Sequence, residues 1–144
     1  MNYSHNIIHC FDPGVKTGYV KYNREAQEII NYKILKSYYE IGEILSDVCK
    51  YNEMVLYELN HGILSTSDQF TMCKIVGFIE GYCETYNYNY KGQIPGKRKG
   101  FVQISKNYFK NHIKVKDYEV HNIDAFSHVL AYIHKKEGIE KFRC

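Results

Sequence analysis

Three short stretches carry side chains that could do chemistry. IIHCFDPG ends an apolar run on Asp12, and MVLYE ends another on Glu58. VHNIDAFSHVLAYIH holds His121 and, three residues on, Asp124. Each has an ordinary reading. Asp-Pro-Gly is turn chemistry, because Pro13 presets φ and Gly14 tolerates positive φ. Asp124 near a helix start is favoured by the helix dipole, and His121 alone reads as a loop histidine. The set reads differently. Side chains alternate across a strand, so Asp12 shares a face with Ile8 and Cys10, and Glu58 shares one with Met54 and Leu56. Both acids end apolar strands, where open α/β sheets bind ligands. If the two strands are parallel neighbours, the carboxylates converge. Three carboxylates and an imidazole at one spot repel unless they hold cations, and oxygen-rich sets suit Mg²⁺ or Mn²⁺. Two such ions ~4 Å apart activate water and stabilise the leaving oxygen in phosphodiester hydrolysis.

Positioning that set needs a particular series of elements. Ile7–Asp12 and Thr17–Asn23 read as strands joined through the Pro13–Gly14 turn, and Glu28–Leu35 as a third. Short connections make these three an antiparallel meander. Ser37–Tyr51 has helical spacing through Tyr38, Ile41, Leu45 and Val48, with Ser37 able to cap it. Met54–Glu58 is a continuous apolar run, as in a strand covered on both faces. Asp68–Tyr86 reads as a second helix, in which Gly77 and Gly81 would let another backbone come close. Tyr88–Ile94 reads as a fifth strand, Arg98–Ile113 as a helix after the Pro95–Gly96 break, and Asn122–Lys135 as the last helix. The expected fold is α/β: a five-stranded mixed sheet, three strands antiparallel and two parallel, with helices on both faces.

Composition bounds the rest. The 144 residues, 44% hydrophobic and 24% charged, suit one globular domain over 1–144. Nothing approaches a run of ~18 apolar residues, and no basic-then-apolar leader opens the chain, so an intracellular, soluble protein without a membrane partner is expected. Five cysteines, an odd number with no C-x-x-C pair, argue for reduced thiols over disulfides or structural zinc. Net charge is +3. Lys91, Lys97, Arg98, Lys99, Lys106, Lys110, Lys114 and Lys116 crowd one stretch, with Tyr86, Tyr88, Tyr90, Phe101, Tyr108 and Phe109 among them. Such a mixture can neutralise phosphates and stack on bases, or it can be a solvated helix face.

Three motifs in order resemble one family. FDPGVKTGYV resembles the first motif of RuvC-type Holliday junction resolvases, VLYELN the second, and HNIDAFSHVLAYIH the third. The resemblance runs over nearly the whole chain. The short length and His121 in place of an acid are similar to phage or poxvirus branches, although some bacterial members share that histidine. The resemblance implies an RNase H-like fold, a symmetric homodimer and Mg²⁺-dependent nuclease activity, with Mn²⁺ as a substitute and two ions per site. It makes Asp12, Glu58 and Asp124 metal ligands, and His121 a fourth ligand or a water-positioning group. It has Gly14, Thr17 and Gly18 shape the first hairpin, places the helix after the second motif near the dimer interface, and puts Lys97, Arg98 and Lys99 against DNA phosphates; Lys106, in the same basic stretch, is a further DNA-contact candidate. Asn60 and His61 stand where bacterial members carry an aromatic residue, and His61 is the DNA-contact candidate there.

The function expected is paired cleavage of four-way DNA junctions. A broader debranching nuclease acting on forks and flaps would use the same chemistry. A nuclease of RNA–DNA hybrids is a further reading, and a binder of branched DNA without catalysis is another. A sugar-kinase or actin-like ATPase would need a second related domain and Gly-rich phosphate loops, and neither is present.

Overall fold

The computed structural model describes residues 5–59 and 66–136. Five strands form one sheet: β1 (Ile7–Asp12), β2 (Thr17–Asn23), β3 (Glu28–Leu35), β4 (Glu53–Glu58) and β5 (Asn89–Gln93). Their order across the sheet is β3-β2-β1-β4-β5. β1, β2 and β3 form an antiparallel meander, and β4 and β5 run parallel to β1. The topology is the expected one, and the burial pattern explains it. β1 and β4 are buried along almost their whole length, as central strands covered on both sides are. β3 alternates between exposed and half-buried positions, as an edge strand does.

Helices cover both faces. On one face α1 (Tyr38–Ser46) and α2 (Thr66–Thr85) pack with Phe11, Tyr19, Leu35, Val55 and Tyr57. On the other, α3 (Val102–His112) and α4 (Val120–Lys136) pack with Ile8, Cys10, Val20, Met54 and Leu56. Each contact removes apolar surface from water, at about 25 cal/mol per Å². Ser37 caps α1 as expected: its hydroxyl accepts from the Glu40 N–H, and Glu40 reaches back to the Lys36 N–H. The helix is shorter than its apolar spacing predicts. It ends where the Asp47 N–H bonds Ile44 O, and residues 47–52 are needed for the turn into β4. Past the end of α2, Asn87 has a left-handed φ of 57°; Tyr88 N–H bonds Cys83 O and Asn87 N–H bonds Glu84 O, which turns the chain into β5.

Two expectations are corrected. A Cβ on Gly77 or Gly81 would meet nothing within 4 Å, so no neighbouring backbone approaches either glycine among the described residues. The predicted helix over Arg98–Ile113 is two pieces, a 3-10 turn at Pro95–Phe101 and then α3. Pro95 opens that turn, which carries Arg98 ahead of α3. Cys10, Cys49, Cys73 and Cys83 are free thiols, while Cys144 lies outside the described residues. No helix among the described residues is long and apolar enough to cross a membrane.

Candidate active site

Asp12 ends β1 and Glu58 ends β4. The parallel register that sets Cys10 beside Leu56 and Phe11 beside Tyr57 brings the two strand ends together. Alternation turns both acids toward α4, with exposures of only 6% and 5%.

α4 supplies the opposing groups. His121, Asp124 and His128 are spaced three and then four residues apart, so they share one face of the helix. That face is held in place by polar anchors. The buried Asn122 amide donates to Tyr19 O at 3.2 Å and Lys33 O at 2.9 Å. Gln93 Nε2 donates to His128 O at 3.1 Å, and Ser105 Oγ to Ile123 O at 2.8 Å. The helix start also lies directly on Gly18, the pairing partner of Asp12. A Cβ there would come within 2.2 Å of His121 O and 2.4 Å of its carbonyl carbon. Gly18 therefore matters for close approach, and that approach brings His121 over β1. The turn before it is tied by Thr17, whose hydroxyl donates to Gly14 O at 3.2 Å.

The charged groups then meet. His121 Nδ1 lies 3.2 Å from Asp12 Oδ2. His128 Nε2–H donates to Glu58 Oε1 at 3.0 Å, and Arg98 Nε–H donates to the same oxygen at 2.8 Å. Arg98 Nη1 also reaches within 3.4 Å of Asp124 Oδ1. Arg98 joins Glu58 to Asp124, His128 adds a second donor to Glu58, His121 pairs with Asp12, and the Glu58 and Asp124 charges act on Asp12 directly, so the four form one cluster.

Their electrostatics differ by neighbour. Burial pushes the Asp12 carboxyl up to about 6; the His121 hydrogen bond pulls it down, and the Glu58 and Asp124 charges add to the rise. Burial would raise Glu58 too, but the His128 and Arg98 donors outweigh it and hold the carboxyl near 2. Burial raises Asp124 above the ordinary carboxylate value, against the pull of Arg98. The Asp12 hydrogen bond raises His121.

Several expectations need revision. α4 begins at Val120, so Asp124 lies in its second turn and has no helix-dipole role, and His121 is a helix residue and not a loop one. Glu119 N–H donates to Asn122 Oδ1 at 2.9 Å, which starts the helix earlier than its apolar spacing indicates. Lys97, Lys99 and Lys106 are exposed, whereas the Arg98 side chain turns inward onto the acids. The aromatic residues among the lysines are largely structural. Phe109 is fully buried, the Tyr108 hydroxyl accepts from the Ile29 N–H, and Tyr86 and Tyr88 stack in a ring cluster with Tyr82. His61 lies outside the described residues. His128 was not foreseen; its signal is its place four residues after Asp124 on the same helix face.

The donor set suits a hard divalent cation, since three carboxylates with one guanidinium leave an excess of negative charge. Burial raises the Asp12 carboxyl most, and the Glu58 and Asp124 charges add to the rise. Among the described residues, however, no three of these donors are grouped to hold a metal ion as they stand. Arg98 takes up two of the carboxylates.

No protein-family model matches the sequence, and no curated protein matches it. Solved structures do match the fold. One is Thermus thermophilus RuvC in complex with a Holliday junction substrate, at a TM-score of 0.70 and 13% identity, covering 93% of this chain and 97% of that one. A second Thermus thermophilus RuvC structure matches at 0.63 and 13% identity, covering 90% and 95%. The mixed sheet with helices on both faces is the RuvC-like, RNase H-like fold.

Proposed function

We propose that the protein is a divalent-metal-dependent endonuclease that resolves four-way DNA junctions by paired phosphodiester hydrolysis in a homodimer. One observation carries this reading: Asp12, Glu58, Asp124 and His121 gather at the ends of β1 and β4, in a fold shared with a protein solved on Holliday junction DNA. Asp12, Glu58 and Asp124 would hold the cations, Mg²⁺ or Mn²⁺ and two per site, with His121 as a further ligand or the group that positions water. Such cations, when bound, supply Lewis-acid stabilisation of the phosphate and an activated water.

The chain's own residues prepare the site. His128 orients Glu58 through one hydrogen bond and keeps it ionised. His121 orients Asp12. The exposed Lys97, Lys99 and Lys106 meet the phosphate backbone, with Arg98 between them in sequence and His61 a further contact. A two-fold dimer would match a two-fold DNA object. Support for the dimer comes from α2, where Gly77 and Gly81 have open space before them and Phe70 is 61% exposed. The likeness to phage or poxvirus branches rests on chain length and His121 alone.

The test is cleavage of a labelled four-way junction, beside a Y-fork and a linear duplex, with Mg²⁺ or EDTA, by wild type and Asp12→Asn. The expected result is symmetric cutting of the junction by wild type with Mg²⁺ only, and binding without cutting by the variant. Cutting of forks as well would make it a debranching nuclease. Junction binding with no cutting under any condition would leave a binding protein and overturn the catalytic reading.

A further inference from the structure

Arg98 occupies two of the carboxylates that would hold a metal. It is also the only cationic side chain among the described residues recorded in ion pairs with the site carboxylates, apart from the two histidines. Its Nε–H bonds Glu58 Oε1 at 2.8 Å, its Nη1 lies 3.4 Å from Asp124 Oδ1, and its side chain is only 25% exposed. Glu58 Oε1 then carries two donors, from Arg98 and His128. A guanidinium spans two carboxylates well because it is planar and its N–H groups fan out from one charge. The 3-10 turn after Pro95 sets this direction, while Lys97 and Lys99 on either side stay exposed.

The guanidinium stands where a divalent cation would draw the same carboxylates. We propose that Arg98 is a built-in counter-ion, holding Glu58 and Asp124 in the cation-free protein and giving them up when a divalent cation binds. The inference rests on the nuclease reading of the site. Two occupants that exclude each other oppose each other's binding by the same factor.

The experiment is calorimetric titration of the DNA-free protein with Mn²⁺, together with thermal melting in EDTA and in saturating Mn²⁺. Arg98→Gln should bind Mn²⁺ about tenfold more tightly than wild type, a coupling within the ordinary range. It should melt lower in EDTA and recover more on adding Mn²⁺. Lys99→Gln removes a like charge from the same turn without a carboxylate contact, and should change Mn²⁺ affinity less than about twofold. If Arg98→Gln does not fold, Arg98→Lys serves instead, because an ammonium cannot span both carboxylates as the fork does; its affinity should also rise. Unchanged or weaker Mn²⁺ binding in the Arg98 variant would overturn the counter-ion role while leaving the nuclease reading intact. Equal tightening by Lys99→Gln would overturn it too, reducing the effect to general charge. Absence of Mn²⁺ binding in wild type and variant alike would overturn both.

Discussion

At the residue scale, Asp12 and Glu58 are neighbours with opposite electrostatic histories. The folded Asp12 carboxyl titrates near 6, above its ordinary value of 3.8. The fold therefore binds that proton more tightly than the unfolded chain, and ionising Asp12 destabilises the protein increasingly from pH 4 to 6 and fully above. Asp12→Asn should thus raise stability in EDTA at pH 7 by about 1–3 kcal/mol, an advantage that disappears near pH 4; equal melting at pH 7 would contradict it. Glu58 has the reverse sign. Its carboxyl is held near 2 against an ordinary 4.5, so it adds stability above pH 4.5 that is lost as pH falls toward 2. His128→Phe keeps a ring in the buried space but removes a donor. It should move Glu58 upward in a carboxyl NMR titration and lower stability at pH 7 by about 2 kcal/mol, and an unmoved Glu58 would sever the link. Asp12 and Glu58 were legible because strand alternation and strand ends follow from local pattern. Arg98 was not. Lys97, Arg98 and Lys99 read alike, as phosphate contacts or a solvated face, and only the 3-10 turn decides which of the three faces inward.

At the scale of elements, the site depends on how closely α4 lies against β2. Gly18 permits that contact, and Asn122 fixes it with two hydrogen bonds to the sheet. Gly18→Ala would drive a methyl into the His121 backbone. The helix start must then lift, at a cost of about 2 kcal/mol or more, as overpacking costs elsewhere. Hydrogen exchange should accelerate at residues 120–124 before the rest of α4, and cleavage should fall with it. Exchange unchanged there would mean that the sheet yields instead. The sequence shows Thr17–Gly18 as a hairpin feature and carries no sign of the helix above it, because that contact joins residues about a hundred positions apart. The helix boundaries were less legible for a related reason. α1 stops early for the turn into β4, and α4 starts early on the Asn122 cap, and both are settled by neighbours outside the apolar repeat.

At the scale of the whole molecule, the charge suits the polyanionic partner proposed above. Net charge is +3, and Lys97, Lys99 and Lys106 are exposed on the turn and helix beside the acids. Affinity for junction DNA should come mainly from phosphates and fall steeply with salt. Binding that is indifferent to a rise from 50 to 200 mM, about the span over which phosphate contacts lose most of their affinity, would refute this. Sedimentation should show a dimer that Phe70→Glu weakens, and a monomer at every concentration would refute the α2 interface. The make-up of the sheet, an antiparallel meander with two parallel strands, was legible at this scale, since short connections and buried runs leave few topologies. The site, though, is drawn from the ends of β1 and β4, the 3-10 turn and α4, and α4 also covers the apolar face of Ile8, Cys10, Met54 and Leu56. A chain growing on the ribosome makes Asp12 and Glu58 long before the segment that completes them, and domains generally fold as units. On the nuclease reading, the growing chain is harmless to the nucleic acid around it until α4 emerges, and α4 both covers the sheet and completes the site.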